Sequence, residues 1–284
     1  MEGLSLNPKL SATGLGVSGR VFVITGGTQG LGLAIARYLK GNGAAGLVLV
    51  SRSKEKGEKV CKELEENTCV VKFVAADLGN TEDASSVIAK AAEAMSGVGP
   101  ISGLVNAAAT TGRGNLLTTT AEDFDIQMAL NVRAPFLVSQ GAAKHMIENK
   151  VRGGSIVNIC SVAALGGAPF IMAYSASKAA LAAMTKNNAA ELAPKGIRVN
   201  GVNMGWCLTE NEDKLQRKNS GDDWAVKADA GVPIGRILRP EDVAATVGFL
   251  LSDASAMMTG SVLSLHPEYS DGMLSLVADE DEGR

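Results

Sequence analysis

The strongest signal for the fold is the stretch Arg20-Val-Phe-Val-Ile-Thr25, which is followed directly by Gly26-Gly-Thr-Gln-Gly-Leu-Gly32. Its first part is a short apolar, β-branched run, which predicts a strand buried on both faces. The glycines lead into residues 33–40, whose periodicity predicts a helix. Between a strand and a helix, glycines let the backbone approach a pyrophosphate, and the free amides of the helix start stabilise its charge. A plain structural turn is the alternative, but these flanks favour nucleotide binding.

Apolar runs and helix-forming segments alternate along the rest of the chain. Strands are predicted at 47–50, 70–76, 101–105, 155–160, 198–202 and 260–265, and helices at 54–66, 82–95, 119–149, 171–193 and from 240 onward. Thr119-x-x-Glu122 is a capping box for the long helix, and Pro240 opens the last one. Residues 205–235 are polar and are predicted to be irregular. The alternation predicts the α/β class: a single Rossmann-type domain, a doubly wound parallel sheet of about seven strands with helices on both faces.

Composition limits the classes of partner. The chain has 284 residues, 46% of them apolar, and a net charge of −3, which predicts a globular protein with neither nucleic acid nor a membrane as partner. Residues 1–19 lack an apolar signal core and form an N-terminal extension, either an unstructured lead-in or a weak transit peptide. The acidic tail, 273–284, is predicted to be disordered. The cysteines show no metal-ligand spacing, and reduced thiols favour a cytoplasmic location.

The segment 161–178 holds residues whose side chains suit catalysis. Tyr174 and Lys178 are four positions apart in an Ala-rich helical run, so they lie one turn apart on the same face. A lysine ammonium there favours the phenolate form of the tyrosine, and an oxidised nicotinamide ring is a second positive charge of the kind that helps. Ser161, at a strand-to-loop boundary, is placed to donate a hydrogen bond to a substrate oxygen. Alone, this spacing is also typical of a solvated helix face.

Several motifs in order resemble a known family. They are Thr25-Gly26-x-x-x-Gly30-x-Gly32, Asp77, Asn106-Ala107-Ala108, Asn131, Ser161, Tyr174-x-x-x-Lys178 and Asn203-Met204-Gly205 leading to Thr209. With these motifs the sequence resembles the short-chain dehydrogenases/reductases from about residue 19 to 272. The resemblance implies one catalytic domain over 20–272 and hydride transfer between a nicotinamide cofactor and a small-molecule secondary alcohol or ketone.

The resemblance also implies roles for individual residues. Tyr174 is the implied general acid/base, Ser161 polarises the substrate oxygen, and Lys178 holds the ribose. Because Pro135 has no N–H, the carbonyl of Asn131 loses its helical partner, the helix should bend, and the freed carbonyl can hold a relay water; a buried residue capping a kink is the alternative. The implied cofactor-binding set is Gly26, Thr28, Gln29, Gly30, Leu31, Gly32, Ser51, Arg52, Asp77, Leu78, Asn106, Tyr174, Lys178, Gly205 and Thr209.

The resemblance makes 205–235 a substrate lid. Trp206 is expected to face the substrate or, equally, to pack under the lid. Asp77 is expected to meet the adenine amino group, with a plain helix cap as the alternative. No metal site is expected.

The choice between NADP(H) and NAD(H) depends on the end of the second strand. An Asp or Glu about 20 residues beyond the glycines usually binds the ribose 2′-hydroxyl of NAD. Ser51 and Arg52 stand there instead, so no carboxylate repels a 2′-phosphate, and the arginine can pair with it. Gln29 occupies a position where many NADP-preferring relatives carry a basic residue. The sequence favours NADP(H), with NAD(H) possible and a merely solvated arginine as the alternative.

The sequence departs from the family pattern at three places near the expected site. Ala109 stands where the family usually has glycine, Met204 replaces a common proline before the lid, and residues 266–272 replace a shorter family pattern.

The sequence leaves two other functions open and predicts an oligomeric assembly. One is β-ketoacyl-carrier-protein reductase, although Ala190 stands where those enzymes tend to have an arginine beside Lys186. The other is a nucleotide-binding regulator without catalysis, which normally loses the Ser, Tyr or Lys retained here. The Ala-rich helix, apolar nearly all round, predicts a homodimer or homotetramer.

Overall fold

A computed structural model describes residues 16–65 and 68–267 of the chain. Within these residues, seven parallel strands form one sheet in the order β3-β2-β1-β4-β5-β6-β7. The strands are β1 Val21–Thr25, β2 Gly46–Ser51, β3 Val70–Ala75, β4 Ile101–Asn106, β5 Gly154–Ile159, β6 Ile197–Met204 and β7 Val262–Leu265. The predicted sheet is confirmed. Most of the N-terminal extension, residues 66–67 and residues 268–284 lie outside the described residues.

Helices cover both faces of the sheet, as predicted. The helices are α1 Gly30–Gly41, α2 Lys54–Leu64, α3 Thr81–Ala94, α4 Ala121–Met128, α5 Ala134–Glu148, α6 Met172–Leu192, α7 Glu210–Ser220, α8 Trp224–Ala230 and α9 Pro240–Leu251. Helix α1 packs against α9, and α3 packs against α5. In the described part of the chain, no helix has the length and apolar character needed to cross a membrane.

Strand β1 shows how the core is divided. Phe22 and Ile24 are buried in the apolar cluster on one face, and Val21 and Val23 are buried in the cluster on the other. Successive side chains of a strand point to opposite faces, so an unbroken apolar run fits a sheet covered on both sides. Because β1 lies between β2 and β4, the chain reverses its direction of winding there. In sheets of this kind, ligands bind at the carboxyl ends of the strands beside that reversal.

The long helix predicted for 119–149 is divided by a π turn. Helix α4 is followed by a π-helical segment, Ala129–Arg133, and then by α5, which has Pro135 in its first turn. The helix is therefore interrupted at Asn131, where the sequence predicts a bend, and the bend of its axis stays a prediction. The capping box was predicted one residue too early. Thr120, not Thr119, caps α4 by accepting a hydrogen bond from the amide of Asp123 at 3.1 Å.

The prediction that 205–235 is irregular is wrong, since this segment contains α7 and α8. Helix α7 has no apolar stripe, and so hydrophobic periodicity could not reveal it. Its N-cap Thr209 accepts from the amide of Glu212 at 3.2 Å. Its surface carries ion pairs at helical spacing, with Lys214 on Glu210 and Arg217 on Asp213. Capping and charge spacing were the signals that could have found it.

Candidate active site

The glycine turn after β1 leaves no room for larger residues. Gly26 has φ of +68°, a conformation that favours glycine, and a Cβ there would lie 3.0 Å from the backbone of Ala108. A Cβ on Gly32 would collide with the carbonyl oxygen of Gly26. The first turn of α1 is thereby drawn against the strand end. A backbone this exposed and this close to a helix start is a cradle for a pyrophosphate.

Thr25 joins the ends of the two central strands, a role that sequence analysis did not assign to it. Its buried hydroxyl accepts from the amides of Ala107 at 3.0 Å and Ala108 at 3.1 Å. Ala109, the replacement for a family glycine, fits without strain, because Lys150 is the only non-glycine residue in the described chain with positive φ. The loop after β4 therefore keeps its conformation despite the substitution.

The start of α1 faces the lid across a narrow space. Gln29 is the N-cap but makes no side-chain capping bond, so its side chain leaves the first amides of α1 available. Gly30 has φ of +50°, and the nearest atom to a Cβ placed there belongs to Thr209, at 3.9 Å. Leu31 packs partly buried against the core. The missing side chain of Gly30 thus lets Thr209 lie close to the backbone at the start of α1.

Polar and basic groups gather where the ribose 2′ position is expected. The buried Thr28 hydroxyl donates to Ser51 at 3.1 Å, and Arg52 is exposed, without a carboxylate partner within the described residues. Lys56, in the first turn of α2, donates to the side-chain oxygen of Gln29 at 2.5 Å. Sequence analysis missed Lys56, although its place one turn after Ser53, the N-cap of α2, was a usable signal. Two cations therefore flank the end of β2.

Asp77 lies in the turn after β3 and does not cap a helix. It accepts from the amide of Gly79 at 3.1 Å, while Asn80 is the residue that caps α3. The alternative of a plain helix-capping aspartate is thus wrong. Asp77 is exposed and Leu78 beside it is buried, so the carboxylate faces outward from an anchored turn.

Asn106 ends β4 inside a chain of buried amides. Its Nδ2 donates to Asn158 Oδ1 at 2.8 Å and to Ser139 Oγ at 3.0 Å. Asn158 in turn donates to the hydroxyl of Thr185 on α6 at 2.9 Å. The Oδ1 atom of Asn106 is buried without a hydrogen-bond partner among the described residues. The amide of Asn106 therefore fixes strands and helix beside the site.

Helix α6 brings Tyr174 and Lys178 together. Lys178 is 2% exposed, and its Nζ lies 5.6 Å from the centroid of the Tyr174 ring. The same Nζ donates to the carbonyl of Ile159 at 2.7 Å, which fixes the ammonium at the end of β5. Tyr174 is half-buried, with its ring beside a desolvated cation. The phenol ring and the buried ammonium are therefore neighbours on one face of α6.

Ser161 follows β5 and is buried at the same edge. Its Oγ accepts from the amide of Ala163 at 3.2 Å, so the hydroxyl proton stays available to a ligand. The preceding Cys160 is an unreactive neighbour. Burial raises the pKa of its thiol to about 11, against the opposing influence of the Lys178 charge.

Asn131 uses its side chain to hold the loop after β4. Its Oδ1 accepts from the amide of Thr110, and its Nδ2 donates to the carbonyl of Thr110, both at 2.9 Å. Nδ2 also donates to Ser177 Oγ at 3.0 Å, and Ser177 donates to the carbonyl of Tyr174 at 2.7 Å. The side chain thus joins the π turn, the loop and α6. A relay role for Asn131 rests with its main-chain carbonyl, since Pro135 supplies no amide proton.

The lid begins on a fixed edge of the sheet. Met204 pairs with Leu265 of β7, and the amide of Gly205 donates to the carbonyl of Leu265 at 2.8 Å. The replacement of the family proline by Met204 therefore does not loosen this start.

The two tryptophans of the lid contact each other but differ in burial. The ring centroids of Trp206 and Trp224 are 5.4 Å apart. Trp224 is 2% exposed and packs with Ile237, whereas Trp206 is 38% exposed. Trp206 donates to Glu212 at 2.8 Å, and Trp224 donates to Asp213 at 3.0 Å. Trp206 therefore both contacts a buried residue of the lid and exposes part of its ring, which fits either of its two predicted roles.

Comparisons with known proteins agree with this geometry. A family profile described as enoyl-(acyl carrier protein) reductase matches residues 26–266. The chain is 35% identical, over 86% of its length and 94% of the relative, to 2-(S)-hydroxypropyl-CoM dehydrogenase 3 of Xanthobacter autotrophicus. It is 33% identical, over 88% and 96%, to a 3-oxoacyl-(acyl-carrier-protein) reductase of Rickettsia felis.

A solved structure extends the likeness to three dimensions. A 3-oxoacyl-(acyl-carrier-protein) reductase from Agrobacterium tumefaciens, solved with NADP bound, matches with a TM-score of 0.82 and 26% identity. The match covers 94% of this chain and 100% of that one. The chain belongs to the short-chain dehydrogenase/reductase family. It is an NAD(P)-dependent oxidoreductase of CH–OH and ketone groups.

Proposed function

We propose that the protein transfers a hydride between NADP(H) and a small-molecule secondary alcohol or ketone, with Tyr174 as general acid/base. The observation that carries the proposal is the buried ammonium of Lys178, fixed by the carbonyl of Ile159 and 5.6 Å from the ring centroid of Tyr174. A buried lysine without a carboxylate partner is costly, so its place beside a tyrosine calls for a reason. Stabilising the phenolate supplies that reason.

The residues act on the substrate oxygen. Ser161 donates a hydrogen bond to it, and Tyr174 gives it a proton in reduction or removes one in oxidation. Lys178 stabilises the phenolate that remains, and the main-chain carbonyl of Asn131 serves as the water-holding step of a proton relay. Proton transfer by a positioned group typically contributes about 10²–10⁴ in rate. The bound nicotinamide supplies the hydride chemistry.

The cofactor is held along the glycine turn and the end of β2. We assign the pyrophosphate to Gly26, Gly30, Leu31 and Gly32, and a 2′-phosphate to Arg52 and Lys56. The remaining proposed contacts are Thr28, Gln29, Ser51, Asp77, Leu78, Asn106, Tyr174, Lys178, Gly205 and Thr209, and Trp206 is proposed to contact the substrate. Two cations, and a serine and an arginine where NAD-binding sites place a carboxylate, support NADP(H) over the alternative NAD(H).

The substitution Tyr174→Phe tests the mechanism. We expect turnover to fall by about 10²–10⁴, because the ring stays and only the proton-transferring hydroxyl is lost. Cofactor affinity, measured by NADPH fluorescence, should change little. A protein whose cellular role survives Tyr174→Phe intact would instead be the non-catalytic nucleotide-binding regulator.

Arg52→Ala and Lys56→Ala test the cofactor preference. Each should weaken NADPH binding about ten- to hundred-fold and leave NADH binding nearly unchanged, since only NADPH carries the 2′-phosphate. Lys59→Ala is the matched control, because it removes an exposed charge one turn further along α2. Tighter binding of NADH than NADPH by the unaltered protein would overturn the preference and keep the mechanism.

Reduction of a β-ketoacyl group on an acyl-carrier protein is the second candidate, supported by the named relatives. An acidic carrier protein needs a basic surface, and α6 offers the exposed Lys186 but Ala190 at the next turn. A carrier-bound thioester should therefore be a poorer substrate than a free ketone. A preference for the carrier-bound substrate, removed by Lys186→Ala, would favour this candidate instead.

We further propose a homodimer or homotetramer in the cytoplasm. The outward face of α6 exposes the small residues Ala176, Ala179 and Ala183. Beside it lies a surface pocket with a volume of about 610 Å³, and Phe136 and Met184 are among its lining residues. Free thiols throughout the described chain support a reducing compartment. Sedimentation that gives a monomer at micromolar concentration would contradict the assembly.

A further inference from the structure

The loop between β4 and α4 carries an arginine at the open edge of the candidate active site. Arg113 precedes Gly114, whose amide donates to the carbonyl of Phe170 at 2.8 Å. The carbonyl of Gly114 accepts from the amide of Met172 at 3.1 Å. Since Met172 opens the helix that carries Tyr174, these two bonds fix Arg113 beside the first turn of α6.

The same loop is held from a second side. Asn131 binds both main-chain polar groups of Thr110, and the amide of Gly112 donates to the buried Gln127 at 3.1 Å. Backbone contacts on both flanks of Arg113 leave little freedom to the position of its Cα. A cation on such a support loses little entropy when it binds a ligand.

The guanidinium of Arg113 is oriented but unpaired. It lies 5.7 Å from the centroid of the Phe170 ring, a cation–π distance. Within the described residues it makes no hydrogen bond and no ion pair with a carboxylate. A cation–π contact uses none of the guanidinium N–H groups as conventional hydrogen-bond donors, so they stay available to a planar, bidentate partner.

The side chain that contacts Arg113 exposes apolar surface. Phe170, on the loop after β5, is 45% exposed, and Leu165 on the same loop is 51% exposed. Trp206, which opens the segment after β6, is 38% exposed, and its indole donates to Glu212, which also accepts from Gln216. The loops after β4 and β5 thus combine exposed apolar side chains with a cation that has no polar partner among the described residues.

We propose that Arg113 binds an oxoanionic substituent of the substrate, so that the substrate is a ketone or secondary alcohol that also carries a carboxylate or a similar anion. This inference rests on the proposed oxidoreductase function and adds the substrate class. Phe170 is the positioning residue, because it holds the guanidinium, and Leu165 and Trp206 contact the apolar part of the molecule.

The test uses keto acids and their methyl esters as matched pairs. Acetoacetate, 4-oxopentanoate and 5-oxohexanoate, each with its ester, vary the spacing between carbonyl and charge. At the best spacing, kcat/KM should favour the acid, and Arg113→Gln should lower the ratio of acid to ester about ten- to hundred-fold, mainly through KM. Arg113→Lys should keep part of the preference. Arg152→Gln, an exposed arginine in the turn before β5 at the opposite edge of the sheet, is the control and should keep all of it.

Two measurements separate this inference from the proposed function. If the protein turns over the methyl esters and Tyr174→Phe abolishes that turnover, the proposed oxidoreductase function stands even where no acid is preferred over its ester. Calorimetric binding of the same acids decides the role of Arg113 without turnover. Binding that Arg113→Gln weakens about ten-fold supports the site. Equal binding by both proteins, or no binding of any acid, overturns it.

Discussion

The two walls of the candidate active site are held by different forces. On the side of β5 and α6, buried amides and hydroxyls bind one another, as in the contacts of Asn158 with Asn106 and Thr185. On the lid side, the contacts of α7 are mainly exposed ion pairs such as Lys214 with Glu210. Buried hydrogen bonds are specific and costly to leave unmade, whereas exposed pairs contribute little and weaken with salt.

The two walls have different roles in the proposed function. The groups proposed to transfer the proton lie on the wall that is fixed from several directions. The wall proposed to cover cofactor and substrate is the one whose contacts cost less to open. Three changes test whether the two walls are held independently.

The largest effect is expected from Asn131→Ala in the fixed wall. The substitution leaves the amide and carbonyl of Thr110 without their buried partner. We expect the free energy of unfolding to fall by about 2–4 kcal/mol, at about 1–2 kcal/mol for each of these two half-buried groups left unpaired. Denaturant titration measures it, with Asn187→Ala on the exposed face of α6 as the control, which should change stability by less than about 0.5 kcal/mol. Equal effects of the two would mean that the buried contacts do not fix this wall.

A smaller effect is expected from removing a helix cap in the lid. Thr209→Ala should cost about 1 kcal/mol, because the amide of Glu212 loses its acceptor. Thr120→Ala removes the matching cap of α4, which packs against α6. Hydrogen exchange should show the loss confined to the lid in the first variant and spread over the fixed wall in the second. Identical exchange patterns in the two variants would mean that the lid and the fixed wall are not held independently.

The smallest effect on stability at neutral pH is expected from two aspartate–arginine pairs at the end of the lid, and this effect grows in acid. Hydrogen bonds from Arg239 and Arg236 lower the pKa values of Asp229 and Asp242. Because the folded values lie below the unfolded value of about 3.9, this stabilisation is complete above that pH and is lost as pH falls through the lowered values. The only tryptophans, Trp206 and Trp224, both lie in the lid.

Their fluorescence therefore reports the lid, while circular dichroism reports the whole chain. On acidification the fluorescence change should begin at a higher pH than the loss of helical signal. Coincident transitions at every ionic strength would mean that the lid and the fixed wall unfold as one unit.

Sequence reasoning predicted the elements whose signal is local. The apolar run of β1, the glycines after it and the helical spacing of Tyr174 and Lys178 need only near neighbours, and the structure has the sheet and helix that they indicate. The bend near Asn131 was also local, because it depends on the missing amide of Pro135.

The contacts that sequence reasoning missed join distant parts of the chain. Thr25 binds amides 82 and 83 residues away, and Lys56 binds Gln29 across 27 residues. No spacing rule relates such pairs, since the sheet order brings them together. Arg113 is a similar case, because its stacking on Phe170 depends on the bridge between two loops. Helix α7 was missed for another reason: capping and charge pairing, not an apolar stripe, mark it. Helix α8 has no side-chain cap and only seven residues, which is too short for a clear periodic signal.

The π turn at Ala129–Arg133 makes this segment sensitive to the identity of Asn131 and tolerant of one change in length. A π turn holds one residue more than an α turn and completes about the same rotation. Removal of one residue other than Asn131 would therefore let α4 and α5 merge into a regular helix with Val138 and Ala142 still facing the core. Removal of a second residue would rotate every later side chain of α5 by about 100° and take both out of the core. The extra residue of the π turn is thus a spare unit of length between two helices whose phase stays fixed.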